Sequence, residues 1–322
     1  MLPKINILFL ITDLSNYFIL FIKSFNRLNL KLLHLTHMIN LPPFLTRDIN
    51  LDKANLFKKI NLIILGKFLS LVINKINGNL FCLIINTFFK RDGKIYFEED
   101  KYYKLLKNNE KVYFPNKRIL RIVKSVKFQY DLIIDTYMFD EIGLKDNDTV
   151  IDCGANVGEL KLALKSKGLN INYYGFEPEE PTYKCLSLNV GDTSKVFQNA
   201  LGSKNERKTL YLDTIGGNSS LIDFGTNNKV SIEVIALDSL NIDTPIKVFK
   251  VEAEGYEPEV LEGAIKTLKL VEYVTVDFGA ERGKNNNNTV VEVNEILLEN
   301  NFKLTKFSNF RTVGLYKNKI YE

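Results

Sequence analysis

Thr149-Val150-Ile151-Asp152-Cys153-Gly154-Ala155-Asn156-Val157-Gly158-Glu159-Leu160 is the stretch whose reading decides the fold. An apolar, β-branched run ends at a carboxylate, passes through a small-residue turn with two glycines, and enters the helix-forming Leu160-Lys161-Leu162-Ala163-Leu164-Lys165. This is the strand, tight turn and helix that open a doubly wound α/β sheet, and in such sheets ligands lie over that turn. Gly154 and Gly158 let the backbone take unusual angles and approach a ligand, while the helix beyond offers its first N–H groups.

Working outward, Ile171 to Phe176 reads as the second strand and ends at Glu177-Pro178. A carboxylate there is placed to accept hydrogen bonds from the two hydroxyls of a ribose. NAD and S-adenosylmethionine both carry one. The dinucleotide fingerprint needs a glycine where this chain has Asn156, to clear space for a pyrophosphate. Asp152, just before the turn, repels a pyrophosphate and suits a positively charged methionine end. The residues favour the sulfonium cofactor, with Asp152, Gly154, Asn156, Gly158 and Glu177 as its candidate contacts.

Further blocks follow in order: Asn199-Ala-Leu-Gly202, Asn218-Ser-Ser220, Leu237-Asp-Ser-Leu240, and Lys250-Val-Glu-Ala-Glu-Gly-Tyr-Glu257 continuing into Val260-Leu-Glu-Gly-Ala264. Together with Asp152 to Gly158 and Gly175-Phe-Glu-Pro178 they resemble the blocks of the FkbM-type S-adenosylmethionine-dependent methyltransferases, over residues 126 to 322. The resemblance implies a class I methyltransferase fold, a Rossmann-like, doubly wound seven-stranded sheet, and O-methylation of a sugar or polyketide hydroxyl. It also implies Asn199 and Ala200 as adenine contacts.

Ile246 to Val251 reads as the fourth strand, delivering Glu252 and Glu254 to the catalytic edge. A sugar hydroxyl is a poor nucleophile and needs a base. The proposed catalytic part holds no histidine, so Glu252 and Glu254 are the leading candidates. Alternation puts the two on one side if the strand continues, although Gly255 signals a turn. The resembled family more often has Asp at the position of Glu252, and the longer side chain moves the carboxylate by about one methylene, a shift to which catalysis is sensitive. That departure keeps open a cofactor-binding protein without catalysis. A divalent metal held by Glu252 with Asp277 is the second cofactor the carboxylates suggest.

The net charge of +5 hides an asymmetry: residues 1 to 125 hold 21 Lys+Arg and 8 Asp+Glu, residues 126 to 322 hold 22 and 30. The first part is expected to be a basic, apolar, mainly helical accessory region, with Lys90 to Lys124 as a linking segment containing a β-hairpin. Its charge and apolar runs suggest peripheral contact with an anionic membrane, which suits a glycan or glycolipid substrate. A nucleic-acid methyltransferase would also use basic charge, but the aromatics there sit in apolar runs instead of alternating with the charges. Ile5 to Ile22 is too interrupted for a signal peptide or a spanning helix. His34 and His37, with no third ligand of their type, read as packed residues. Three cysteines without paired spacing read as reduced thiols of a cytoplasmic protein. Gly216 to Ser220 reads as a polar loop between two inserted strands.

Overall fold

The computed structural model describes residues 41–213, 219–309 and 311–321. Ile5 to Ile22, His34 with His37, and Gly216 to Asn218 lie outside them. By contact the chain divides into two units, Met1–Ile76 and Asn77–Glu322. The linking segment read between Lys90 and Lys124 lies in the second unit and packs with the C-terminal part.

In the first unit, the single turn Pro43–Thr46 precedes helix α1, Leu56–Ile73, whose Asn55 side chain caps it by accepting from the Lys58 N–H at 2.9 Å. Gly66 is the close-approach point: a Cβ there would lie 2.4 Å from Leu41 Cδ2.

The second unit opens with α2, Gly78–Phe88, and a meander of β1 (Lys94–Glu98), β2 (Lys101–Leu105) and β3 (Lys111–Phe114). The expected hairpin is thus three strands, and region 77–125 is not mainly helical. Lys104, fully buried on β2, ends on Asp92 and the Ile122 and Val123 carbonyls. The meander is stapled to the main sheet through Asn189, which accepts from the Tyr113 N–H and donates to the Tyr113 and Val157 carbonyls.

Helix α3, Val126–Thr136, leads into β4, Thr149–Cys153, every residue of which is buried, as expected of a strand covered on both faces. The chain continues through α4 (Glu159–Ser166), β5 (Asn172–Phe176), α5 (Glu180–Val190), β6 (Lys195–Phe197), β7 (Ala200–Leu201), β8 (Glu206–Tyr211) and β9 (Lys229–Ile235). It ends with β10 (Ile246–Val251), α6 (Glu257–Glu262), β11 (Val271–Asp277), α7 (Val290–Glu299), β12 (Phe302–Phe307) and β13 (Val313–Asn318).

Seven strands form the main sheet in the order β12-β13-β11-β10-β4-β5-β6, and β7, β8 and β9 form a smaller one. Five strands are parallel, and β13 runs antiparallel between β11 and β12. This is the doubly wound sheet that the opening stretch predicts, with the seven strands of the class I fold that the resemblance implies. Register decides where chemistry can occur. Cys153 pairs with Phe176 and with Val251, and Val251 pairs with Val276, so β4, β5 and β10 end flush and β11 runs one residue further, to Asp277. The next residues along each chain, Gly154, Glu177, Glu252 and Asp277, therefore emerge at one edge. Strand order reverses between β4 and β10, the point where such sheets bind ligands.

Candidate active site

The bend after β4 is held in a conformation that few side chains tolerate. Gly154, Asn156 and Gly158 all have positive φ, at 72°, 50° and 83°. At Gly154 a Cβ would lie 2.1 Å from the Glu252 carbonyl oxygen, so only glycine lets β4 and β10 leave the sheet side by side. Gly154→Ala is accordingly expected to lower stability by at least about 2 kcal/mol, measurable by urea denaturation, and to weaken cofactor binding with it.

Every N–H of the bend is engaged inside the protein. Those of Gly154 and Ala155 donate to the Phe176 carbonyl, Gly158 to the Ala155 carbonyl, and Val157 to the Asn156 side chain. Asn156 N–H donates to Glu177 Oε2 at 3.0 Å. A dinucleotide turn needs those donors for phosphate; this bend has none to give. The closed turn strengthens the choice of a cofactor without phosphate.

Glu177 stands at the bend as read. Its other oxygen accepts from Glu179 N–H, and burial pushes its carboxyl up to about 7, with those two N–H groups and Arg118 pulling the other way. Asp152 lies below the bend. It is 1% exposed, with Oδ1 on Lys250 Nζ at 2.9 Å and Oδ2 on the Tyr173 hydroxyl at 2.6 Å, so it sits beneath the bend as an anchor. Asn199 and Ala200 lie at the small sheet. Ala200 pairs with Val234 in the small sheet and lies in the hydrophobic core, and the Asn199 amide points to the Glu233 carbonyl at 3.5 Å, so their contacts are with β9.

The acidic edge beyond β10 is a ladder of alternating charge. Lys250, buried on β10, bridges Asp152 and Glu252 at 2.9 and 3.1 Å and also donates to the Cys153 and Gly154 carbonyls. Arg311, just before β13, meets Glu252 at 3.1 Å, Asp277 at 2.7 Å and Glu281 at 3.4 Å. The Asp277 contact is an ion pair without hydrogen-bond alignment, since that oxygen has no aligned donor. The buried Tyr137 ring lies 4.9 Å from Lys250 Nζ and its hydroxyl faces Glu252.

These surroundings separate the two glutamates. Burial alone would raise Glu252, but Lys250 and Arg311 hold it down at about 2. Glu254 goes the other way, pushed up to about 10 by burial and by the charges of Glu252 and Glu281. Strand alternation does not place them, because β10 ends at Val251 and Glu254 itself has φ of 50°. The turn is imposed from outside. Glu257 Oε1 accepts from the Ala253 and Gly255 N–H groups, Ser220 Oγ donates to the Glu254 carbonyl, and Arg282 donates to that of Gly255.

A metal between Glu252 and Asp277 does not fit, because the Arg311 guanidinium already bridges the two. Among the described residues no group of three or more His, Cys, Asp or Glu is arranged to hold an ion.

Residues 152–304 match the model of the methyltransferase FkbM domain. The chain carries an FkbM methyltransferase domain. The match begins at Asp152, the anchor of the bend, and ends on β12. A relative, methyltransferase sdnD of Sordaria araneosa, is 28% identical, over 43% of this chain and 69% of its own. Similar solved structures include an S-adenosylmethionine-dependent methyltransferase from Aquifex aeolicus, 15% identical, over 59% of this chain and 97% of that one, with a TM-score of 0.35. A precorrin-6y C5,15-methyltransferase from Geobacter metallireducens is 8% identical, over 57% and 87%, with a TM-score of 0.33. Likenesses at this level say nothing about reaction or substrate. The FkbM domain thus contains the bend, Glu177, Lys250, both glutamates of the turn, Asp277 and Glu281; Arg311 reaches it from beyond the matched range.

Sequence reasoning missed Lys250, Tyr137, Glu281 and Arg311. Of the two lysines in the strand Ile246 to Val251, Lys250 stands between Phe249 and Val251, and that was the available signal, since a charge inside a buried strand needs a partner. Arg311 carried none.

Proposed function

We propose that the FkbM domain transfers a methyl group from S-adenosylmethionine to a hydroxyl of a sugar, as a glycan or glycolipid, with Glu254 as the base. The observation that carries this reading is the split between the two carboxyls of one turn, a pattern that assigns acid–base roles.

When bound, S-adenosylmethionine supplies a methyl made electrophilic by its sulfonium. Glu177 would hold the ribose, and Gly154 lets the bend close against the Glu252 carbonyl beneath it. Glu252, pinned as an anion by Lys250 and Arg311, keeps negative charge at the edge and is a weak base. Glu254 once ionised is a strong one, and a cation arriving beside it favours that form. It takes the proton from the acceptor oxygen as the new carbon–oxygen bond forms and the carbon–sulfur bond breaks, leaving an ether and the thioether by-product. Closely set carboxylates also suit a polyhydroxylated acceptor, which donates to them.

We place the protein in a reducing, cytoplasmic compartment, in support of which Cys82, Cys153 and Cys185 are free and buried, with burial raising each thiol. Among the described residues no helix is long and apolar enough to cross a membrane.

The test is a transfer assay with methyl-labelled cofactor and a panel of monosaccharide, glycolipid, amine and nucleic-acid acceptors. Label in an alkali-stable ether on a sugar is expected; label confined to amines or nucleic acid would overturn the substrate class.

A further inference from the structure

Helix α1 turns two unlike faces outward and inward. Ile63, Leu69 and Val72 are buried, and Gly66 lets Leu41 and Leu45 close against the same side. On the opposite side Phe57, Ile64 and Leu71 are 74%, 41% and 42% exposed. Spacing of seven residues keeps these three within about 20° of one line, over about 21 Å of helix. Lys58 and Lys75 flank the row at its two ends, both exposed. From Lys53 to Arg91 the sequence holds seven Lys or Arg and no Asp or Glu.

We infer that this face of α1 is a docking surface for a bilayer bearing anionic headgroups. Large apolar side chains with lysines beside them suit the boundary between acyl chains and headgroups. There the rings and branched chains enter the apolar layer while the ammonium groups stay with the phosphates. A straight row on a convex helix matches a plane better than a groove. A second copy of the chain is disfavoured by charge: a two-fold contact would bring the same lysines against each other in a segment with no acid to offset them. The inference concerns the first unit and stands apart from the chemistry of the second, so either reading can fail alone.

Co-sedimentation of the full chain with phosphatidylcholine vesicles, with and without phosphatidylserine, tests it. Partition onto the anionic vesicles is expected to exceed that onto neutral ones by at least about tenfold and to fall as salt rises. K58Q/K75Q should lower it by about fivefold for each lysine, and F57S/I64S/L71S should abolish it. Circular dichroism and methyl-transfer activity report whether each variant is folded, and should the serine variant misfold, the lysine variant and the salt series decide. Equal partition onto both vesicle types overturns the inference, as does wild-type partition by the lysine variant. So does a wild-type dimer in analytical ultracentrifugation that the serine substitutions dissociate.

Discussion

Replacing Lys250 with methionine is expected to destabilise the second unit by roughly 3 to 5 kcal/mol, the usual consequence of removing one partner from a buried ion pair. For a unit of this size that lowers the thermal midpoint by about 2 to 4 °C per kcal/mol. The magnitude follows from burial: the Lys250 and Asp152 side chains are 4% and 1% exposed, so water cannot take over the lost contacts. Burial pulls the Lys250 ammonium down, yet Asp152 and Glu252 overcome it and leave it above its ordinary value. In the wild type, Glu252 is depressed, so its stabilisation is present above the ordinary carboxylate range and lost as pH falls toward about 2. Lys250→Met leaves Glu252 with Arg311 alone, so part of that depression is lost and the deficit is largest at neutral pH and shrinks as pH falls through the carboxylate range. Thermal melts of both proteins across this range check it; a deficit that does not change with pH would show that Lys250 acts by packing alone.

The second large effect is on catalysis. Glu254→Gln keeps the size and one donor of the protonated carboxyl and removes the base, for which a loss of about 10²- to 10⁴-fold in turnover is expected, with S-adenosylhomocysteine binding retained. Two signatures separate this from simple damage. Wild-type turnover should climb with pH toward about 10, where Glu254 ionises. Its raised value also has a stability cost of definite sign: the stabilisation is complete below the ordinary carboxylate range and is lost as pH rises toward about 10. Glutamine cannot ionise, so the variant's thermal midpoint should exceed that of the wild type at pH 9 and match it at pH 5. Full turnover in Glu254→Gln would remove the residue from the mechanism.

The sequence shows the bend, the strand ends and Glu177 because each has a local cause: β-branched runs, glycines at positive φ, and a carboxylate one residue past a strand. It does not show what arrives from a distance. Arg311 is 59 residues from Glu252, and only the pairing of β11 with β13 brings it to the edge. The same pairing turns a candidate metal site into an ion-pair ladder. The strand position of Asp152 is clear from sequence, while its partners, Tyr173 on β5 and Lys250 on β10, belong to neighbouring strands. Asn199 and Ala200 follow from the resemblance, and their contacts with the small sheet have no local signal. The meander escaped as a three-stranded unit because its alternating Lys and Tyr residues serve a half-solvated sheet and a charged linker equally well until Lys104 is seen to be buried.

Isothermal titration with S-adenosylhomocysteine decides whether the bend and Glu177 hold the nucleoside of S-adenosylmethionine. One molecule per chain is expected to bind, with affinity rising as pH passes upward through about 7 and Glu177 gains the charge that accepts ribose hydroxyls. Glu177→Leu should lose that binding. Absence of binding by the folded wild-type protein at every pH would contradict the account, and so would undiminished affinity in Glu177→Leu.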